Sequence, residues 1–363
     1  MKTLRLISAL LTTAALTVSC SSEDPYSAGF IFSRPASPVN TVYANNVIDS
    51  IIVYSYGSWT LTNTGGQSGW CTPDRTQGPG ATVFSIPLRF TQNTTGEPRS
   101  AQFTFYDKNH SDDAHSTLLY WQYATRGDGA MGNAPEVKTI TGSDGSRFTF
   151  TYDELHRPTA LHVTLNETTL HNIQLHYSDY DSTLTVTNNA RIMKAHYGSD
   201  YQPLLLTGAT DTIGYYSQYY NNYTQMPANH AFNIEHHSYQ QPTKRYAFLM
   251  NGQSLLPDSL HNADSLRIAT DKLTENLKLT YSQTDNRRQT VDVNSLIFGT
   301  RECDPYQLLS LFRYARNTSV ISEATGNEAD DRISVTTTLN ADKSISTVTV
   351  SRHGQQTVYT LEY

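Results

Sequence analysis

Hydrophobic and polar residues alternate with period two through much of this chain, in short runs separated by turn residues. Val83-Phe84-Ser85-Ile86-Pro87-Leu88-Arg89-Phe90 and Ala101-Gln102-Phe103-Thr104-Phe105-Tyr106 show the alternation most plainly. Such a pattern marks strands with one buried face. Ile48 to Tyr54, Ser58 to Leu61 and Ser116 to Tyr123 follow it too, with breaks at Gly65-Gly66, Gly78-Pro79-Gly80 and Gln92 to Pro98. Short strands at this spacing predict a small β-sandwich over 42–126. A Gly-rich stretch from Gly127 to Pro135 then predicts a linker at 127–136.

Alternation resumes beyond it. Arg147 to Leu161 reads as a strand, a turn and a second strand; Leu175 to Asp179 and Ala195 to Asp200 echo it more weakly. Leu277 to Tyr281, Ile333 to Leu339, Ser346 to Val350 and Thr357 to Tyr363 continue the habit. The expectation for 137–363 is a large curved antiparallel β-meander. One helix should interrupt it and cover part of the sheet: Asp304 suits an N-cap, Pro305 a first helical position, and Leu308, Leu309 and Phe312 share a face. The fold class expected is therefore mainly β, an immunoglobulin-like sandwich followed by this meander.

The N-terminus has a different grammar. Lys2 and Arg5 precede an apolar run from Leu6 to Val18, and Ser19-Cys20 is followed at once by polar Ser21-Ser22-Glu23-Asp24-Pro25. The run is too short to span a bilayer and fits a secretory signal peptide over 1–19. A small residue before cysteine at the end of such a run resembles a lipobox, which implies lipidation at Cys20 and a tether over 20–41. Glu23 and Asp24 just behind it resemble the signal that sends Bacteroidetes-type lipoproteins to the cell surface. The expected location is the outer membrane, lipid-anchored and facing outward.

Composition narrows the partners. Charged residues are 16% of the chain, where about a quarter is usual, and the formal net charge is -7. Loss of Lys2 and Arg5 with the signal makes it two units more negative, and no basic cluster stands out, so nucleic acid is not expected. Ser, Thr, Asn, Gln and 24 Tyr fill the gap left by charge. Cys71 and Cys303 lie far apart in sequence, with no metal-ligand neighbour at a recognised spacing.

A family resemblance rests on the order of motifs in the first domain. Ser58-Trp59 with Thr60-Leu61, Gly69-Trp70-Cys71, a Gly-rich turn, the Gln92-Asn93-Thr94-Thr95 loop, Arg99-Ser100-Ala101-Gln102-Phe103-Thr104-Phe105, and Leu118-Leu119-Tyr120-Trp121-Gln122 resemble the BACON domain. That resemblance implies an immunoglobulin-like sandwich and a role in binding carbohydrate or mucin. In the second domain Tyr152-Asp153 and its echoes resemble YD repeats. Val291 to Arg313 is similar to a segment of uncharacterised Bacteroidetes lipoproteins with a porin-like curved sheet, which implies architecture and no activity.

Motifs of catalysis are absent from the sequence: no G-x-S-x-G, H-E-x-x-H, Walker loop or dinucleotide fingerprint occurs. His236-His237 is the one His pair, and neighbours on a strand point to opposite faces. Asp179, Asp181, Asp258 and Asp264 sit beside Ser or Thr in turns, as solvated loop acids do. No enzyme activity, cofactor or metal is expected. Tyr215-Tyr216-Ser217-Gln218-Tyr219-Tyr220 offers rings and hydrogen-bonding groups together, so Tyr216, Tyr219 and Tyr220 are candidate ligand contacts. Trp70, beside a turn, is a fourth, while Trp59 belongs to the core. The function expected is non-enzymatic binding of glycan or mucin at the cell surface. The alternative is a structural spacer, or a lipoprotein that docks an outer-membrane protein partner.

Overall fold

The computed structural model describes residues 29–67, 69–108, 115–201, 205–208, 211–219, 229–238, 241–251, 262–263, 265–269, 274–299, 316–326 and 332–363. The signal, Cys20, Glu23, Asp24 and the helix expected from Pro305 with Leu308, Leu309 and Phe312 all lie outside those residues. By contact density the chain divides into two units. The first is Met1–Asn40, Ile48–Arg89 and Ser100–Tyr120; the second is Thr41–Val47, Phe90–Arg99 and Trp121–Tyr363.

The strands in chain order begin with β1 (Phe30–Arg34), β2 (Val39–Val42), β3 (Ile48–Ser55), β4 (Trp59–Gly66), β5 (Cys71–Pro73), β6 (Gln77–Gly78), β7 (Thr82–Phe90), β8 (Arg99–Asp107) and β9 (His115–Gln122). They form two sheets, ordered β1-β3-β7-β5 and β2-β9-β8-β4-β6. Inward residues of both sheets meet in an aromatic core. Trp59 is fully buried, with Phe84 and Phe105 at ring-centroid distances of 5.2 and 5.5 Å, and Phe30 lies 5.3 Å from Phe105. Aromatic side chains bury about 150–250 Å² each, so this cluster supplies much of the sandwich's cohesion. The expected sandwich is present, but it starts earlier than expected. β1 and β2 occupy positions given to the tether, because each has only four or five residues and Pro35 and Pro38 interrupt the alternation that would reveal them.

The later strands are β10 (Thr139–Gly142), β11 (Ser146–Tyr152), β12 (Pro158–Leu165), β13 (Thr168–Ser178), β14 (Thr183–Asn188), β15 (Arg191–His196), β16 (Leu205–Gly208) and β17 (Asp211–Tyr219). They continue through β18 (Asn229–Ser238), β19 (Gln241–Asn251), β20 (Ser265–Ala269), β21 (Thr274–Asp285), β22 (Ser319–Thr325), β23 (Arg332–Leu339), β24 (Ile345–Arg352) and β25 (Gln355–Glu362). Every strand pairs antiparallel with the next, and β10 pairs with β25 through Thr139↔Glu362 to Gly142↔Tyr359. The expected meander therefore closes into a barrel.

Which side of that wall is apolar is the main physical fact about it. On β11 to β15, Phe148, Phe150, Leu161, Val163, Ile173, Leu175, Leu184, Val186 and Met193 are buried in one core cluster. The alternate positions, Arg147, Gln174, His176, Lys194 and His196, are exposed. The same alternation holds on β21 and β25, where Leu277, Leu279, Tyr359 and Leu361 are buried and Lys278, Thr280, Gln356 and Glu362 are exposed. A transmembrane barrel has the reverse polarity, apolar outward and polar within. The described wall of this barrel faces water with its outer side and packs with its inner side.

Part of the filling comes from the segment after β21. Val291, Val293, Leu296 and Ile297 join the same core, and a 3-10 turn at Val293–Phe298 packs against β22 and β24. Several of its buried polar groups are paired locally. Asp292 caps the turn through the Asn294 N–H, Asn286 donates to Asp292 at 2.8 Å, and Arg316 donates to the carbonyls of Asn286, Gln289 and Thr290. Burial pushes the Asp292 carboxyl above the ordinary range, although Arg316 and Asn286 pull the other way.

The stretch expected as a linker is not an open one. Asp128, Ala130 and Ala134 are buried, and the Arg126 guanidinium donates to the carbonyls of Gly132 and Ala134.

Candidate functional site

Two places gather polar and aromatic groups in a way the core does not require. The first is the outer face of β4, β8 and β9. Alternation on β8 sends Ala101, Phe103 and Phe105 inward and Gln102, Thr104 and Tyr106 outward. Thr104, 4% exposed, is covered by exposed Thr64 and Thr117, with its hydroxyl 2.8 Å from Thr64 Oγ1 and 3.2 Å from Thr117 Oγ1, and the Gln102 amide donates to Thr64 at 3.2 Å. Tyr106 and His115 stand beside these hydroxyls with ring centroids 6.2 Å apart. Among Thr62, Thr64, Gln102, Thr104, Tyr106 and Thr117 there is no ionised group. A face of hydroxyls, an amide and a ring edge can hydrogen-bond and stack against an uncharged polar ligand.

The second place is built by three turns of the barrel, those after β11, β13 and β15. Asp153 follows β11, Tyr177 lies in β13 with Asp179 just after it, and Tyr197 follows β15; these side chains gather around Arg157, whereas the Tyr152 hydroxyl donates to the Val137 carbonyl. The Arg157 Nε donates to Asp153 at 2.7 Å and its Nη1 to Asp179 at 2.7 Å. Its plane lies over the rings of Tyr177 and Tyr201, at 4.3 and 4.8 Å. Tyr197 donates its hydroxyl to Asp179 at 2.8 Å. Burial would lower the Arg157 pKa, but hydrogen bonds to Asp179 and Asp153 more than reverse that, and the same pair holds Asp179 below the ordinary carboxylate value. Burial and the Asp179 acceptor push the Tyr197 phenol up. These contacts tie three hairpin ends together around one guanidinium.

The residues singled out in the sequence fall unevenly. Trp70 is 4% exposed and its indole N–H donates to the Ser100 carbonyl at 3.3 Å. A ring so enclosed has no face to offer a sugar, and the expectation that it contacts ligand is corrected. Tyr216 and Tyr219 lie on β17, paired with Asn233 and His230 of β18; their side chains, and Tyr220 altogether, lie outside the described residues. Trp59 is in the core as expected. Gln102, Thr104 and Tyr106 went unnoticed in the sequence, although the alternation already placed them on one face. Among the described residues no group of His, Cys, Asp or Glu is arranged to hold a metal ion, and no helix is long and apolar enough to cross a membrane.

Comparison with known proteins agrees with part of this. Residues 58–113 match the BACON family, described as "Putative binding domain, N-terminal". No curated protein matches the chain. Among solved structures, a Bacteroides ovatus GH5 xyloglucanase in complex with a XXXG heptasaccharide is similar at 14% identity and a TM-score of 0.23, over 30% of this chain and 21% of that one. A porin-like protein from Bacteroides uniformis is similar at 15% identity and a TM-score of 0.38, over 63% of this chain and 98% of that one. The CsuC-CsuE pre-assembly complex of Acinetobacter baumannii is similar at 11% identity and a TM-score of 0.23, over 38% of this chain and 77% of that one. The chain thus spans about a fifth of the first of these, and at such scores no function transfers from any of them.

Proposed function

We propose that this protein is a non-enzymatic lipoprotein of the outer membrane, anchored at Cys20 and facing outward, that binds neutral glycan chains of the mucin type through its sandwich. One observation carries the reading: the outer face of β4 and β8, where exposed Thr62 and Thr64 stand beside Gln102 and Tyr106, lies within the segment that matches a binding-domain family. Sugars are recognised by hydrogen bonds from such groups and by stacking on aromatic rings, with little role for net charge. The signal-like N-terminus and the acidic pair Glu23 and Asp24 support export and outward display.

The test is a glycan array probed with the mature chain and with two variants. Gln102→Ala with Tyr106→Ala removes the sandwich face; Tyr216, Tyr219 and Tyr220 replaced together by Ala remove the tyrosine run. Loss of binding in the first variant alone supports the sandwich site, and loss in the second alone moves the site to β17. No binding by the mature chain favours the alternative role as a spacer or docking lipoprotein.

A further inference from the structure

The outer face of the other sheet has a different chemistry. On β3, Ile52 and Tyr54 point away from the core, opposite to buried Ile51 and Val53. Tyr54 pairs with Ile31 of β1 on one side and with Val83 of β7 on the other, so Ile31, Tyr54 and Val83 form one row across three strands. Tyr56 extends the row past the end of β3. It is 54% exposed, and its ring lies edge-on to Tyr54 with centroids 5.0 Å apart. The three segments that build this end, 29–33, 50–58 and 80–88, contain no Lys, Arg, Asp or Glu. The ion pair of Arg34 with Asp49, at 2.5 Å, lies nearer the opposite end of β3.

The chain enters the sandwich at this same end. The Tyr56 N–H donates to the carbonyl of Gly29 at 3.2 Å. Eight residues lie between Cys20 and Gly29, so the two are at most roughly 30 Å apart when the chain is fully extended. A lipid on Cys20 would hold the Tyr54–Tyr56 end within that distance of the bilayer. We infer that Ile31, Tyr54, Tyr56 and Val83 form a docking surface for the interfacial layer of a lipid bilayer, seating the sandwich on the membrane beside its anchor. Tyrosine suits that layer, where its ring meets acyl chain and its hydroxyl meets water and headgroup. The row itself carries no ion and so loses no charge hydration when it docks. Buried Asp107, packed on Gly57, and Lys108, whose backbone N–H donates to the Ser58 carbonyl, are charges beside it.

This inference rests on the lipid-anchor reading of Cys20, and the experiment separates the two. Chain 21–363 with an N-terminal hexahistidine tag is held on vesicles of phosphatidylethanolamine and phosphatidylglycerol containing a nickel-chelating lipid, so that attachment does not depend on native lipidation. Photo-crosslinking p-benzoylphenylalanine replaces Tyr56, Val83 or, as a control on the other sheet's outer face, Thr62. All three positions are exposed, so folding should survive. Lipid adducts from positions 56 and 83, at several-fold the yield from 62, are expected, and Tyr54→Glu should reduce the yield at 83. Equal yields at all three positions, no lipid adduct, or adducts to a second copy of the chain would overturn the docking surface. Whether Cys20 carries lipid is read separately, from the mass of the native N-terminus, and a negative result there removes the anchor without deciding the crosslinks.

Discussion

Gly78 lies directly against the indole of Trp59, and a Cβ added there would come within 2.8 Å of three ring atoms. Because the ring is held by Phe84 and Phe105, it has nowhere to go. Gly78→Ala should cost about 1–3 kcal/mol, in line with overpacking elsewhere, and denaturant unfolding would show it as a lower midpoint with an unchanged slope. Arg157 makes a second case. Asp179 is 63% exposed, so its ion pair with Arg157 is partly screened, but the guanidinium is buried and would be stranded without it. The depressed Asp179 pKa sets the sign. Its contribution is present above the ordinary carboxylate value and is lost as pH falls through the lower folded-state value. Asp179→Asn should therefore melt earlier than the native chain at neutral pH, with the gap closing below about pH 4. A gap that stays constant with pH would mean that Asp179 acts through its shape alone. At this scale the sequence was partly legible. Asp153, Tyr177 and Asp179 were visible in the sequence, but that they share one arginine depends on which hairpins are neighbours. Trp70 looked exposed because it follows a glycine, and local sequence does not reveal the Ser100 carbonyl that receives its N–H.

Strands were the most legible elements, since period-two alternation is local and needs no knowledge of partners. The barrel's polarity was legible too, once alternation is read as inside against outside. On β14, Leu184 is fully buried and Thr185 is not. Leu184→Ala should cost about 2–5 kcal/mol through the cavity it leaves, whereas Thr185→Ala should stay within roughly 0.5 kcal/mol. Comparable losses at both positions in urea unfolding would contradict the assignment of faces. Two features had no local signal. β1 and β2 are too short for alternation to stand out, and the pairing of β10 with β25 joins residues at opposite ends of the second domain. Thr139 and Glu362 are brought together by the curvature accumulated over all the strands between them, and no window of sequence contains that sum.

For the whole molecule, the outer side of the barrel is polar on the described faces of β11 to β15, β21 and β25, the reverse of a lipid-facing wall. If the anchor reading holds, Cys20→Ala should move the protein from the membrane fraction to the soluble one without aggregation; retention in the membrane would point to another attachment. The candidate binding face has a matching signature. Its contacts are uncharged, so affinity should change little with ionic strength, unlike that of a site built on exposed ion pairs. The most direct measurement is calorimetric titration of a neutral mucin-type oligosaccharide into the mature chain, at low and high salt, alongside Gln102→Ala/Tyr106→Ala. The account predicts saturable binding that is nearly equal at the two salt concentrations and at least tenfold weaker in the variant, whose thermal midpoint stays close to that of the native chain. Binding that the variant leaves intact, or no binding to any neutral glycan, would contradict it.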